Sequence, residues 1–154
     1  MSRRVRAKIL YLPNYDRENW GGLTYAHDTD SAFDLRACED VTIGPMERAL
    51  IPLGFKLQLE SGFGWTIRNR SSTGAKLGLS MANGLGTIDN GFQGEPKMCV
   101  INLSDKPVEI TRGMRIGQAV IEPIYQADFE EVESEEAFET STRGSGSFGS
   151  SGKI

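Results

Sequence analysis

Histidine and cysteine are almost absent from this 154-residue chain, which holds one of the first and two of the second. His27 alone cannot build a His-rich metal site, and its place in a loop flanked by acids argues against a His-based nucleophilic triad. Cys38 and Cys99 stand far apart with no second pair. That excludes a disulfide framework or a zinc site and leaves reduced, buried thiols of a cytosolic protein as the expectation. Long hydrophobic runs are missing as well. Stretches such as Met98 to Ile101 extend only a few residues, so nothing here spans a bilayer as a helix. The basic start, Met1-Ser2-Arg3-Arg4, leads into no apolar signal-peptide core, and a cytoplasmic location is expected. An excess of base is also lacking. Residues 1–126 carry 15 Lys/Arg against 14 Asp/Glu, so direct nucleic-acid binding is not expected.

Glycine is abundant, with 18 residues, about 12% against a usual 7%. The glycines show no three-residue period, which rules out collagen. The formal net charge of -4 comes from one late segment, Asp128 to Glu139, which holds seven acids and no base. By composition it reads as a solvated linker or short exposed helix. Alternation marks strands at Val5–Leu12, Phe33–Cys38, Ala49–Ile51, Phe55–Leu59, Gly64–Arg68, Lys97–Leu103 and Arg115–Pro123. Gly and Pro punctuate them, which points to an all-β sandwich or barrel. Residues 13–31 form a long loop anchored by Trp20 and Tyr25, and Ser71–Leu77 predicts one short helix. Asn90-Gly91, between Ile88 and the 97–103 run, predicts a hairpin. Past Ser141 only Phe148 and Ile154 are apolar, so this tail is expected to be mobile until it covers something.

Three polar clusters stand out. Arg70-Ser71-Ser72 offers a guanidinium, two hydroxyls and free N–H groups at a helix start, a set suited to phosphate. Gly86-Thr-Ile-Asp89-Asn-Gly-Phe92-Gln-Gly94 carries an aspartate fit for general-base work or for a hydrated metal, although Asp-Asn-Gly is equally an ordinary tight turn. Arg143 to Gly152 alternates Gly and Ser around Arg143 and Phe148, either a flexible linker or an anion-wrapping arm with a stacking ring. Together they supply the inventory for a nucleoside polyphosphate.

In these residues the chain resembles the trimeric dUTP pyrophosphatases through five motifs in order. Ser31-Ala-Phe-Asp34-Leu-Arg-Ala37 is similar to the first, Arg70-Ser71-Ser72 with Lys76 to the second, and Asn83 to Gly94 to the third. Arg112-Gly-Met-Arg-Ile-Gly-Gln118 resembles the fourth and Arg143 to Gly152 the fifth. The resemblance implies a distorted jelly-roll or β-barrel with one short helix, assembled as a homotrimer with sites between subunits. Residues 1–126 would be the barrel domain, 127–140 an acidic connector and 141–154 an arm closing over the site.

It also implies a reaction: hydrolysis of dUTP to dUMP and diphosphate, which keeps uracil out of DNA and supplies dUMP for dTMP synthesis. Asp89 would activate water for attack at the α-phosphorus. Mg2+ would be held mainly by the substrate phosphates, with Asp34 supporting its water shell. Arg70, Ser71, Ser72 and Gln118 would hold phosphates, and Arg143 the γ-phosphate. Asn83, Thr87, Ile88, Asp89 and Lys97 would read the uracil edge in a slot too narrow for a methyl group. Phe148 would stack on the base, with Gly149 and Ser150 beside it.

The chain departs from the family pattern at three places. Phe92 stands where most members carry tyrosine, Gly91 replaces the usual acid, and the 13–31 loop is longer than usual. A dCTP deaminase shares the fold, but deamination needs a glutamate on the strand after the hairpin, and Lys97-Met-Cys-Val-Ile-Asn102 has none; Glu95 lies just before it. A nucleotide-gated interaction protein is a reading of another class, for which the long loop and acidic segment would be the surface. No residue pattern identifies a regulatory protein partner.

Overall fold

A computed structural model describes residues 4–147. Eleven strands occur among them, all short: β1 Ala7–Tyr11, β2 Phe33–Arg36, β3 Val41–Ile43, β4 Arg48–Pro52, β5 Phe55–Leu59, β6 Phe63–Asn69, β7 Leu79–Met81, β8 Gly86–Ile88, β9 Lys97–Asn102, β10 Val108–Ile110 and β11 Arg115–Pro123. Helix α1 is Arg17–Trp20, helix α2 is Ser71–Leu77, and a 3-10 turn covers Glu135–Ala137. Every strand pair is antiparallel. The largest sheet runs β2-β11-β6-β8, a second runs β4-β9-β7, and β1-β5 and β10-β3 form two ribbons. The described strands therefore build a jelly-roll-like all-β body of separate antiparallel sheets, with no continuous closed barrel.

Alternation explains which side chains face inward. In β2, Phe33 and Leu35 are buried while Asp34 and Arg36 turn to the other face. Phe55, Leu53, Ile67, Met98, Ile110 and Ile116 lie in one core cluster that all four sheets feed. Asn102 is fully buried, and its amide donates to the Ile43 and Lys106 carbonyls at 2.8 and 2.7 Å, so its polarity is satisfied.

Several expectations change. The long loop contains a helical turn, α1, because Asp16 accepts a hydrogen bond from the Asn19 N–H at 3.0 Å and caps it. Trp20 and Tyr25 do anchor that loop: Trp20 meets Tyr15 edge-on at 5.1 Å and Tyr25 meets Phe33 at 5.6 Å. The hairpin at Asn90-Gly91 does not form, since β8 pairs with β6 whereas β9 pairs with β4 and β7. The stretch between them carries the chain from one sheet to another. Of the two thiols only Cys38 is buried; Cys99 is half-buried on β9, and both are free. Residues 7–10 of β1 are exposed, yet Ala7, Ile9 and Tyr11 line one groove with Val5. Among the described residues no helix is long and apolar enough to cross a membrane.

Candidate active site

The outward face of the largest sheet carries a polar cavity of about 740 Å³. β2 contributes Asp34, the start of α2 contributes Arg70, Ser71 and Ser72, and β11 contributes Arg115 and Gln118. Register explains the meeting: Gln118 lies opposite Asp34 on one side and Arg68 on the other. The Asp34 carboxylate holds two guanidinium groups, Arg70 Nε at 2.8 Å and Arg115 Nη1 at 3.4 Å. Arg70 Nη1 also donates to the Arg115 carbonyl at 3.2 Å. The Gln118 amide donates to the Asn69 carbonyl at 2.9 Å.

Helix α2 begins without a side-chain cap, and its first internal bond runs from the Gly74 N–H to the Arg70 carbonyl at 3.1 Å. The N–H groups of Ser71, Ser72 and Thr73 precede that bond and have no partner within the helix. Arg70, Arg115 and the Ser71 and Ser72 residues thus line one space, a set of cations and hydroxyls suited to an oxyanion.

The loop expected to be irregular supplies the opposite wall, including Tyr15, Trp20 and Leu23. Trp20 is held there by the Arg112 guanidinium 4.8 Å over its ring. It also lies flat on Gly113, where a Cβ would come within 2.9 Å of the indole nitrogen. Arg112 Nη2 donates to the Asn14 carbonyl at 2.9 Å, tying the loop back to the fourth-motif turn. Burial raises the Tyr15 hydroxyl above its usual range, and Tyr11 adds to the effect. Behind the wall the Cys38 thiol is pushed up to about 11, first by burial and then by Glu95.

The remaining predicted residues lie elsewhere. Asn83 and Thr87 are exposed, Ile88 is half-buried, and Asp89, Phe92 and Lys97 are exposed along the stretch from the β7–β8 turn to the start of β9. None of them lines the cavity of Asp34 and Arg70. Arg143 is exposed, with its Nε donating to the Gly146 carbonyl at 2.9 Å. Phe148, Gly149 and Ser150 lie outside the described residues. Sequence reasoning missed Arg115 as a site residue, although it sits inside the fourth motif, and missed Trp20 as a wall.

A metal has one protein carboxylate in this cavity besides Asp30 of the loop, and no group of three His, Cys, Asp or Glu residues among the described ones is placed to hold an ion. That donor set does not suit a protein-caged cation. It suits Mg2+, which takes one or two carboxylates and otherwise relies on waters and substrate phosphates.

Residues 18–152 match the family model described as dUTPase. A deoxyuridine 5'-triphosphate nucleotidohydrolase of Mycolicibacterium gilvum is 42% identical over 130 residues, covering 82% of this chain and 84% of the relative. A protein of the same name from Wolbachia sp. subsp. Drosophila simulans is 41% identical over 154 residues, 99% of this chain and 94% of its own. Among solved structures, a variant dUTPase of Staphylococcus bacteriophage 80alpha with dUpNHpp superposes with a TM-score of 0.83 at 26% identity. That likeness covers 96% of this chain and 99% of the phage chain.

Proposed function

This chain belongs to the dUTPase family, and from that premise we propose that it hydrolyses dUTP to dUMP and diphosphate at sites formed between subunits of a homotrimer. The observation that carries the reading is the cavity that gathers Asp34, Arg70, Ser71, Ser72 and Gln118 while leaving every residue from Asn83 to Lys97 off its lining. A phosphate pocket and an exposed aspartate that do not meet within one chain are complementary halves when copies assemble about a three-fold axis.

In the proposed site Arg70, Ser71, Ser72 and Gln118 bind the phosphates, with Asp34 holding Arg70 in place and Arg115 adding a second cation. Asp89 from a neighbouring subunit takes a proton from a water aligned for attack at the α-phosphorus. The P–O bond to the β-phosphate breaks, and diphosphate leaves. The substrate phosphates would hold Mg2+, with Asp34 supporting its water shell, and the ion when bound would neutralise charge on the leaving diphosphate. Asn83, Thr87, Ile88 and Lys97 read uracil, and Phe92 packs on the deoxyribose. The 141–154 arm, through Arg143, Phe148, Gly149 and Ser150, closes over γ-phosphate and base and keeps bulk water out.

The test is incubation of the protein with dUTP, dCTP, dTTP and UTP plus Mg2+. Diphosphate is expected from dUTP alone. Ammonia from dCTP would replace the reading with a deaminase, and equal turnover of UTP would remove the role given to Phe92.

A further inference from the structure

Asp89 directly follows β8, and residues 89–96 run without a strand to β9. This stretch has little means of holding its own shape. It contains Gly91 and Gly94, a Cβ at Gly91 would meet nothing within 4 Å, and its internal contacts are local: the Phe92 N–H bonds to the Asp89 carbonyl at 3.1 Å, and the Phe92 ring lies against Gly94, where a Cβ would come within 2.6 Å of it. Gly91, Phe92 and Gln93 are exposed. Yet both ends are tied to the body by side chains. The Asn90 amide lies 2.7, 3.0 and 3.2 Å from the carbonyls of Phe63, Glu60 and Leu59, all around the β5–β6 turn. An amide has two protons, so three acceptors mean that one proton is shared. At the other end Glu95 Oε1 accepts from Asn14 Nδ2 at 2.8 Å and from the Gly54 N–H at 2.9 Å.

These anchors hold a segment whose middle adds nothing to the core. What they fix is the place of an exposed carboxylate and an exposed ring. We infer that Asn90 and Glu95 are positioning residues for the hydrolysis, which clamp the two ends of the glycine-rich segment so that Asp89 and Phe92 are presented in one geometry. The inference rests on the reading of Asp89 as the base. It also gives Gly91 a physical context, because an amide bonded to a neighbouring turn holds the segment without help from an acid at position 91. Asn14 extends the clamp, since its side chain meets Glu95 while its carbonyl accepts from Arg112, the residue stacked on Trp20. The segment bearing Asp89 is thereby linked to the wall of the phosphate cavity.

The test compares full-length N90A, N90D, E95A, E95Q and D89A with the unchanged chain. It reads kcat and KM for dUTP with Mg2+, Kd for dUpNHpp, and thermal melting. N90A and E95A are expected to lose about 10- to 100-fold in kcat, the cost of a misplacement near 1 Å, with a much smaller change in analogue Kd. N90D is expected to lose more, because a carboxylate would face three carbonyl oxygens without a donor. E95Q keeps an accepting oxygen and should recover most of the rate lost in E95A. Should N90D fail to fold, N90A and the E95A/E95Q pair decide. Wild-type kcat in N90A and E95A, with D89A inactive, would overturn the clamp alone. Loss of rate that tracks loss of folded protein would overturn it as well, leaving a purely structural role. Turnover retained by D89A would overturn the premise about the base.

Discussion

Asp34 is the residue on which the proposed phosphate cavity turns. Its carboxylate meets Arg70 and Arg115 at once, and all three side chains are only partly exposed. Two guanidinium groups brought this close repel each other unless an anion lies between them. D34A should therefore lower kcat/KM for dUTP by about 10- to 100-fold, or 1.4–2.7 kcal/mol of transition-state stabilisation. Its urea midpoint should barely move, since partly exposed ion pairs contribute little to folding. A variant with normal kcat/KM would show that the carboxylate does not organise the site. Cys38 makes a second prediction, about pH. Its folded pKa, about 11, lies above the ordinary 9.0, so the folded chain holds the thiol proton more tightly than the unfolded chain does. The stability that this contributes is complete below 9.0 and is lost as pH rises through about 11. Urea midpoints measured across that window should fall more steeply for the unchanged chain than for C38A, and parallel curves would contradict the assignment.

The elements of four or more residues were legible in the sequence, except the Asp16-capped turn α1 inside the long loop. β5, α2 and β11 occupy the predicted 55–59, 71–77 and 115–123; β6 extends one residue beyond expectation at each end, and β9 stops one residue short. Of the three-residue strands, β3, β7 and β10 were not legible, because Val41-Thr-Ile43 and Val108-Glu-Ile110 become strands only by pairing with each other across the chain and Leu79–Met81 only against β9. The hairpin failed for a related reason. Asn-Gly is a local signal, but the Asn90 amide bonds to the β5–β6 turn, a partner thirty residues away that no local rule anticipates. The side of the cavity formed by Asp34, Arg70, Ser71, Ser72 and Gln118 was visible as motifs, while its far wall was not, since Trp20 is placed by Arg112, far away in the sequence. Gly54 has a φ of +74°, and a Cβ there would lie 2.4 Å from the Cys38 sulfur and 2.9 Å from the Tyr15 Cβ. G54A should cost about 2 kcal/mol or more, through strain and overpacking together. G62A, where φ is +86° but a Cβ would meet nothing within 4 Å, should cost about 1 kcal/mol from strain alone. Urea titrations check both, and equal midpoints for the two would contradict the crowding argument at Gly54.

For the molecule as a whole, charge and glycine divide the chain by task. The body that must receive a triphosphate is nearly neutral, and the acids gather in residues 127–139 ahead of the arm. Deleting residues 141–154 should leave assembly intact and reduce activity about 100-fold, because closure by a lid completes such sites. Sedimentation and diphosphate release check this, and unchanged activity would remove the arm from the account. Exposed Asp89 and the separate Arg70 cavity make a stronger demand, that neither subunit works alone. The direct measurement is complementation: R70A and D89A proteins, each inactive, are unfolded, mixed in equal amounts and refolded, and diphosphate release from dUTP is followed. Sites between subunits predict recovery of about one quarter of wild-type activity, the chance that a site draws an intact Arg70 and an intact Asp89 from two neighbours. A mixture that assembles into hybrid trimers and stays inactive would contradict the account.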